Sequence, residues 1–537
     1  MRQPILLCLL AAAAVAPVFA AEPVSSFPRP SWFVQHFAAP RTKVELQAPR
    51  RLSDYAVEGK LELSLRAYIE LVLANNTDIA LARLQLETPA NAITRAFSVF
   101  DPSVSASFSG THVTETSINA LQGASTIKIL DEPVNGSYSQ LLPSGTGLQV
   151  GFYADRSSTN YAYNTYNPVL SSNLSVQFQH QLLRDRGAAM EKMNILVARS
   201  TLRIGRYQLR DQVTTLIANA ENIYWNVVAA RESEKLAGDL VALKAASLER
   251  AQKQVDLGAM LPLDIFQPKS EYASARLGQI QAKLALSQQE NALRQQIGAD
   301  LDPAMRDLPI TLTEPLSIPV VQAPDKAEAI RKAMAARPDR LALAAALDVD
   351  DLSIRRANEA LRPGVSLFGL YETQGIGGTY LPAAIPGGFG DALSQVLHFK
   401  FPLYEFGLQV KLPIRDHAAA ADLADAGVRK KTDSLNLRKL EQTMRLQALN
   451  AVDNVEAARA SLEQAQLARE FAGKRFESEQ KKYELGLSLL PFLQESQTAF
   501  NAAENNVVAQ SIAYRRNLVS LYAIMGQLLE ERGITLD

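Results

Sequence analysis

Two periods alternate along this chain, and each occurs in both halves. From Asp78 to Phe100 apolar residues fall at helical spacing (Ile79, Leu81, Leu84, Leu86), and Pro102 stops the run. The period then drops from 3.6 to 2. In Val104-Ser105-Ala106-Ser107-Phe108-Ser109 every second residue is serine. Leu174, Val176 and Phe178 alternate with Ser175, Gln177 and Gln179, and in the second half Val365, Leu367, Gly369 and Tyr371 share one face. Phe406, Leu408, Val410, Leu412 and Ile414 alternate with Gly407, Gln409, Lys411 and Pro413; Leu397, Phe399, Phe401 and Leu403 do so against His398 and Lys400.

Between these strands lie long helical stretches. From about Arg186 to Leu257 no proline interrupts an Ala-, Leu-, Gln- and Glu-rich sequence, which predicts a helix of about 105 Å at roughly 1.5 Å per residue. Ala418 to Leu485 predicts a second. Return helices are expected from Leu263 to Ile297 and from Phe492 to Met525, and a short helix from Leu65 to Ala74 starts at the N-cap candidate Ser64. Stacked end to end, the Asp78–Phe100 helix and the first return helix nearly match the long one.

The halves also resemble each other residue by residue. A shift of 261 aligns Asp78 with Asp339, Leu86 with Leu347, Arg95 with Arg356 and Pro102 with Pro363; a shift of 228 aligns Gly258 with Gly486 and Gly298 with Gly526. This internal duplication divides the chain into a leader (1–20), an irregular lead-in (21–60), a first repeat (61–307), a proline-rich linker (308–326) and a second repeat (327–537). Each repeat reads helix, strand, strand, long helix, helix. Gly375 to Gly390 is expected to be an exposed loop; its first-half counterpart runs from about Gly110 to Ser172 and holds Tyr161, Tyr163 and Tyr166.

Strands with one apolar face suit either a soluble sheet on a core or a barrel with lipid outside and water inside. Runs of Ser and Gln on the polar face favour the barrel. One chain offers four to six such strands, whereas closure takes roughly eight or more, so copies must pool them. Small residues such as Ala220, Ala229, Ala448 and Ala457 let the long helices pack on both neighbours, as the wall of a tube requires. The competing reading is a coiled-coil envelope stalk or adhesin without a conduit, which has no use for amphipathic strands.

A net charge of −1 argues against nucleic acid as a partner. Met1-Arg2, the apolar run through Leu10 and the Val18-Phe19-Ala20 site read as a cleaved secretory signal peptide. Cys8, inside that leader, is the only cysteine. The five histidines are scattered, and neither a phosphate-binding GxxxxGK loop nor a GxSxG elbow occurs. No catalytic residue, cofactor or metal site is expected, and the chain does not read as an enzyme.

The sequence LSLRAYIELVLANNTDIALAR, the FSVFDPSVSASF switch from helix to strand, the GLQVKLPI strand and the paired VDLG and YELG turns resemble the TolC-like outer-membrane efflux protein family. The resemblance runs from about Leu61 to Leu529. It implies an α+β membrane protein: a homotrimeric 12-stranded β-barrel, four strands per chain, continuing into a long periplasmic α-helical barrel. Leu148 to Tyr153 would then be a loop hairpin or strand extension. The implied function is a passive exit duct in outer-membrane lipid, part of a tripartite efflux or type I secretion system with a periplasmic adaptor (membrane fusion) protein and an inner-membrane pump. The tips Gly258-Ala259-Met260-Leu261 and Gly486-Leu487-Ser488-Leu489 would dock the adaptor. Asp264, Tyr483, Phe492 and Glu495 would form the pore constriction. Ser488 stands where the family has its gate arginine and Phe492 where it has an acid, so an apolar collar is expected in place of an ionic latch.

Overall fold

A computed structural model describes residues 49–118, 120–315, 324–383 and 385–534. The expected leader, most of the lead-in and linker residues 316–323 lie outside the described residues.

A short hairpin, β1 (Ala56–Val57) and β2 (Lys60–Leu63), opens the described chain. Ser64 then caps α1 (Leu65–Asn75) by accepting from the Ala67 amide at 3.2 Å. Asn76 caps α2 (Thr77–Phe97), its Oδ1 accepting from the amides of Asp78 and Ile79. Strands β3 (Ser103–Phe108), β4 (Thr111–Thr116), β5 (Thr126–Asp131), β6 (Val134–Leu141), β7 (Thr146–Thr159) and β8 (Tyr166–Gln181) follow. Next come α3 (Ala189–Asp256), α4 (Phe266–Gln296) and β9 (Ile310–Leu312).

The second half supplies α5 (Lys326–Ala336), α6 (Pro338–Ala360), β10 (Gly364–Tyr380), α7 (Phe389–Leu397), β11 (Phe401–Lys411), α8 (His417–Glu484), α9 (Leu490–Ile524) and α10 (Leu528–Glu531). Both α3 and α8 are 68 residues long, about 100 Å each. The sequence-matched glycines share a backbone state: φ is 72° at Gly258 and 74° at Gly486, 69° at Gly298 and 71° at Gly526.

The helices form a wall of four columns. α3 packs on α4 and α2, which follow one another along it; α8 packs on α9 and α6 in the same manner; and α3 also meets α6 and α9. Buried Ala220, Ala448 and Ala458 allow that close approach. At the waist, β9 joins β2 in parallel, and this small sheet with α1 buries Leu63, Tyr68, Leu71 and Val72 against Tyr224 and Trp225 of α3. Tyr224 Oη donates to the Leu63 carbonyl at 3.1 Å. The buried Glu221 carboxylate is matched by Arg532 at 2.6 and 2.9 Å, and the Arg515 guanidinium lies 3.5 Å from the Trp225 ring centroid.

The large sheet corrects two sequence expectations. Its order is β11-β10-β8-β7, with β6 and β3 continuing beside one end of β7 and β5 and β4 beside the other. β3 and β4 are parted only by Ser109 and Gly110, β5 and β6 only by Glu132 and Pro133. Backbone bonds from Ser109 to Pro133 (3.2 Å) and from Glu132 to Arg156 (3.0 Å) carry the ladder across both breaks. The sheet therefore holds six antiparallel ribbons, Leu148 to Tyr153 lies within strand β7, and residues 110–172 are mostly strand, not loop. Glycines at 136, 147 and 151 dilute the alternation there, and so the pattern is weak.

Of the segment expected to loop from Gly375 to Gly390, residues 375–380 are strand and 389–390 helix, while 386–388 are irregular. β10 extends to Tyr380, and the apolar residues up to Leu397 belong to α7, so 397–403 is not one strand. Phe389, Ala392 and Val396 fall at helical spacing, which a short apolar run does not separate from strand alternation. A Cβ on Gly375 would come within 2.0 Å of the Ala392 carbonyl oxygen, and one on Gly377 within 2.4 Å of that of Gly388. Those two glycines form the bed on which α7 lies, and Gln395 exchanges hydrogen bonds with the Ile376 backbone at 2.9 and 3.1 Å.

Candidate functional site

Strand register carries one face across the whole sheet. Val104 stands opposite Tyr138, Tyr138 opposite Val150, Val150 opposite Val176, Val176 opposite Tyr371 and Tyr371 opposite Tyr404. One row thus crosses all six ribbons, and every member is apolar or aromatic. One residue along, Ser103, Ser139, Gln149, Gln177, Leu370 and Glu405 make the matching row on the opposite face.

That opposite face is bound together by side chains. Ser103 and Ser139 share a hydroxyl–hydroxyl hydrogen bond of 2.7 Å, as do Ser105 and Ser137. Asn173 donates to Glu372 at 3.1 Å, and Gln179 to the Ser366 hydroxyl at 3.3 Å. Such an arrangement suits lipid on one side and water on the other. Both edges of the sheet are bare: Val104, Phe108, Tyr404 and Phe406 are 70–79% exposed. Among the described residues no helix is long and apolar enough to cross a membrane.

At the other end of the wall the two long helices turn alike. Leu257 and Leu485 are the C-caps, and the glycines after them take the left-handed conformation that suits a residue without Cβ. The amides of Ala259 and Met260 bond the Gln254 carbonyl, and that of Leu487 bonds Lys482, so each turn is closed by its own helix. Leu257, Leu261, Leu263 and Phe266 on the first tip, and Leu485, Leu487, Leu489 and Phe492 on the second, are all exposed.

The remaining sequence candidates fall into distinct settings. Asp264 is exposed in the turn before α4, its amide bonded to the Leu261 carbonyl at 3.0 Å. Glu495 is exposed one turn into α9 and accepts from Arg475 at 2.9 Å. Ser488 donates to Glu479 at 2.9 Å, and Lys482 reaches the same carboxylate at 2.7 Å; together, Lys482 foremost, they hold Glu479 below the usual glutamate range. Tyr483 is half-buried in a cleft of about 70 Å³ between the two hairpins, lined also by Arg250, Gln254, Gln480 and Gln494. The structure thus brings Tyr483 together with Arg250 and Gln254, and Glu495 with Arg475. Sequence reasoning singled out none of these three partners, since each is an ordinary polar position on a long helix. Among the described residues no group of three or more His, Cys, Asp or Glu side chains is placed to hold a metal ion.

No family model and no curated protein matches this sequence. Solved structures do. The CmeC outer membrane channel of Campylobacter jejuni aligns over 94% of this chain and 95% of its own, with a TM-score of 0.62 at 16% identity. CusC, a transmembrane channel, aligns over 90% and 95% with a TM-score of 0.61 at 16% identity. The open state of the MtrE outer membrane channel of Neisseria gonorrhoeae aligns over 86% and 89% with a TM-score of 0.59 at 18% identity.

The chain has the TolC-like outer-membrane channel fold. Within that fold the amphipathic sheet is the barrel segment and the four-column wall is a sector of the helical tube. α7, on its glycine bed, lies on the same face of the sheet as the apolar row from Val104 to Tyr404, with the Ser and Gln on the other face.

Proposed function

We propose that this protein is the passive exit duct of a tripartite efflux or type I secretion system, three copies closing around one lumen in the outer membrane. The observation that carries this reading is the unbroken apolar row across six ribbons, backed by a polar face and ended by two bare edges. An edge strand left unpaired in hydrocarbon is untenable, so a second copy must cover it. Likeness of fold to outer membrane channels over most of the chain supports the same reading. The duct performs no chemistry; its work is to open.

Opening belongs to the tips. The exposed leucines after Gly258 and Gly486 offer a surface to a periplasmic adaptor, itself joined to an inner-membrane pump. Leu261 and Leu487 with Ala259, Met260, Ser488 and Leu489 form that docking surface. Asp264, Tyr483, Phe492 and Glu495 form the constriction, with Phe492 as an apolar collar that narrows the pore by packing and dewetting. The decisive test is conductance of the purified full chain in planar bilayers alongside its native mass. A steady conductance from a three-copy particle is expected; a non-conducting monomer overturns the proposal.

A further inference from the structure

Four strands per chain leave no place for the hairpin built from β6 and β7. In this sheet that hairpin lies between β3 and β8 and is paired along its length on both sides. Its faces also continue those of its neighbours. Tyr138, Val150 and Phe152 extend the apolar side, whereas Ser137, Ser139 and Gln149 extend the polar one. A hairpin folded over a barrel mouth or into a lumen would share neither ladder nor face. Its turn, Leu142 to Gly145, is seated at the junction with the tube: Gly145 takes φ 82°, and a Cβ there would come within 2.5 Å of the Ala188 amide nitrogen at the foot of α3.

The geometry points to a wider barrel than four strands per chain allow: the β6–β7 hairpin is membrane wall, and the exit has six ribbons per copy, eighteen in all. The inference rests on the three-copy duct reading and specifies its barrel. The occupant of each bare edge is a second copy of this chain, β11 of one against β3 of the next. β3 leads away from α2 while β11 leads into α8, so the two edges meet antiparallel, as every other neighbouring pair in the sheet does.

Widths agree with this count. Six ribbons about 4.8 Å apart and tilted by about 40° span roughly 37 Å of wall. Four helical columns about 9 Å apart span roughly 36 Å. Four ribbons at the same tilt would span roughly 25 Å. Barrel and tube therefore share one circumference, and the duct passes into the membrane without a step. Barrels of 16–18 strands leave an aqueous channel. Selection of cargo by size then rests with the helical tips, and the barrel passes whatever the tips admit.

Single cysteines carrying a spin label at Tyr138, Val150 and Phe152, and at Ser137 and Gln149, test this in the full chain reconstituted in phosphatidylethanolamine–phosphatidylglycerol vesicles. Controls are Val176 and Phe406 for lipid and Gln177 for the lumen. Relaxation by oxygen should dominate at the first three sites and relaxation by a water-soluble nickel chelate at the next two. If the controls alternate but all five hairpin sites report water, the eighteen-strand barrel is overturned and the duct stands. If the controls also fail to alternate, the duct reading falls with it. In a second arm, Ala106→Cys is combined with a cysteine at Phe406, Leu408 or Val410. Oxidation should give covalent trimers in one combination or more, and none in all three overturns the β3–β11 seam.

Discussion

Asn76 joins two helices by reaching Gln296, 220 residues further along the sequence: its Nδ2 donates to the side-chain oxygen of Gln296 at 3.0 Å and to that residue's carbonyl at 3.4 Å. At the same time its Oδ1 caps α2. One buried side chain thus ends α4, starts α2 and makes them one column against α3. Asn76→Ala should lower stability by about 1–2 kcal/mol, since a cap and a buried hydrogen bond go together. Asn76→Asp keeps the cap but loses the donor and should fall between. Thermal unfolding of the solubilised protein measures both; equal stability of all three would show that the column holds without this link.

Phe492 is exposed in the first turn of α9, beside exposed Leu489. If three copies pack as a collar, Phe492→Ala should raise conductance in planar bilayers while leaving thermal stability unchanged. A conductance equal to that of the parent protein removes Phe492 from the gate.

Charge at the tip should be legible as ion preference. Replacing Asp264 by Asn and Glu495 by Gln should reduce cation preference, read as a reversal potential under a salt gradient. Because Arg475 already balances Glu495 at 2.9 Å, Arg475→Ala should shift the potential the other way. No shift in either variant would place these side chains outside the pore.

The leucines at the tips should separate docking from folding. Leu261→Ser and Leu487→Ser sit on exposed positions, so stability should stay within roughly 0.5 kcal/mol of the parent. Affinity for the cognate periplasmic adaptor, measured by surface-immobilised binding, should drop in both. Unchanged affinity would move the docking surface away from the tips.

Asp350 of α6 is buried and faces Asp433 of α8. Burial first, and then the Asp433 charge, raises the Asp350 carboxyl above its ordinary value, and Asp350 Oδ2 has no hydrogen-bond partner among the described residues. An acid whose pKa is higher folded than unfolded costs stability once pH passes its unfolded value, and the cost is complete above the folded one. Asp350→Asn should therefore be the more stable protein near neutrality, by on the order of 1 kcal/mol. That advantage should vanish as pH falls through the carboxylate range. A gain that persists at low pH would mean packing, not ionisation, is responsible.

Much of the tube was legible because helical signals are long. The helix expected from Arg186 to Leu257 is Ala189–Asp256, and that from Ala418 to Leu485 is His417–Glu484. The β6–β7 hairpin was legible only from Leu148 to Tyr153, because its apolar-face positions include Gly136 and Ala154, which break the alternation. Only pairing with β3 and β8 reveals which face each residue takes. The tip partners escaped for another reason. Arg250 and Arg475 look like any solvated arginine until a second hairpin is folded beside them.

If three copies close the barrel as proposed, the bare edges of the sheet also imply an order of construction. A lone copy would carry the open backbones of β3 and β11 into hydrocarbon, where nothing can satisfy them. Helices satisfy their own backbones, so the four-column walls can find one another in water first. Zipped together, they bring each β11 to a waiting β3 before any strand enters lipid. Assembly and insertion become one event, with the longest helices acting as its jig.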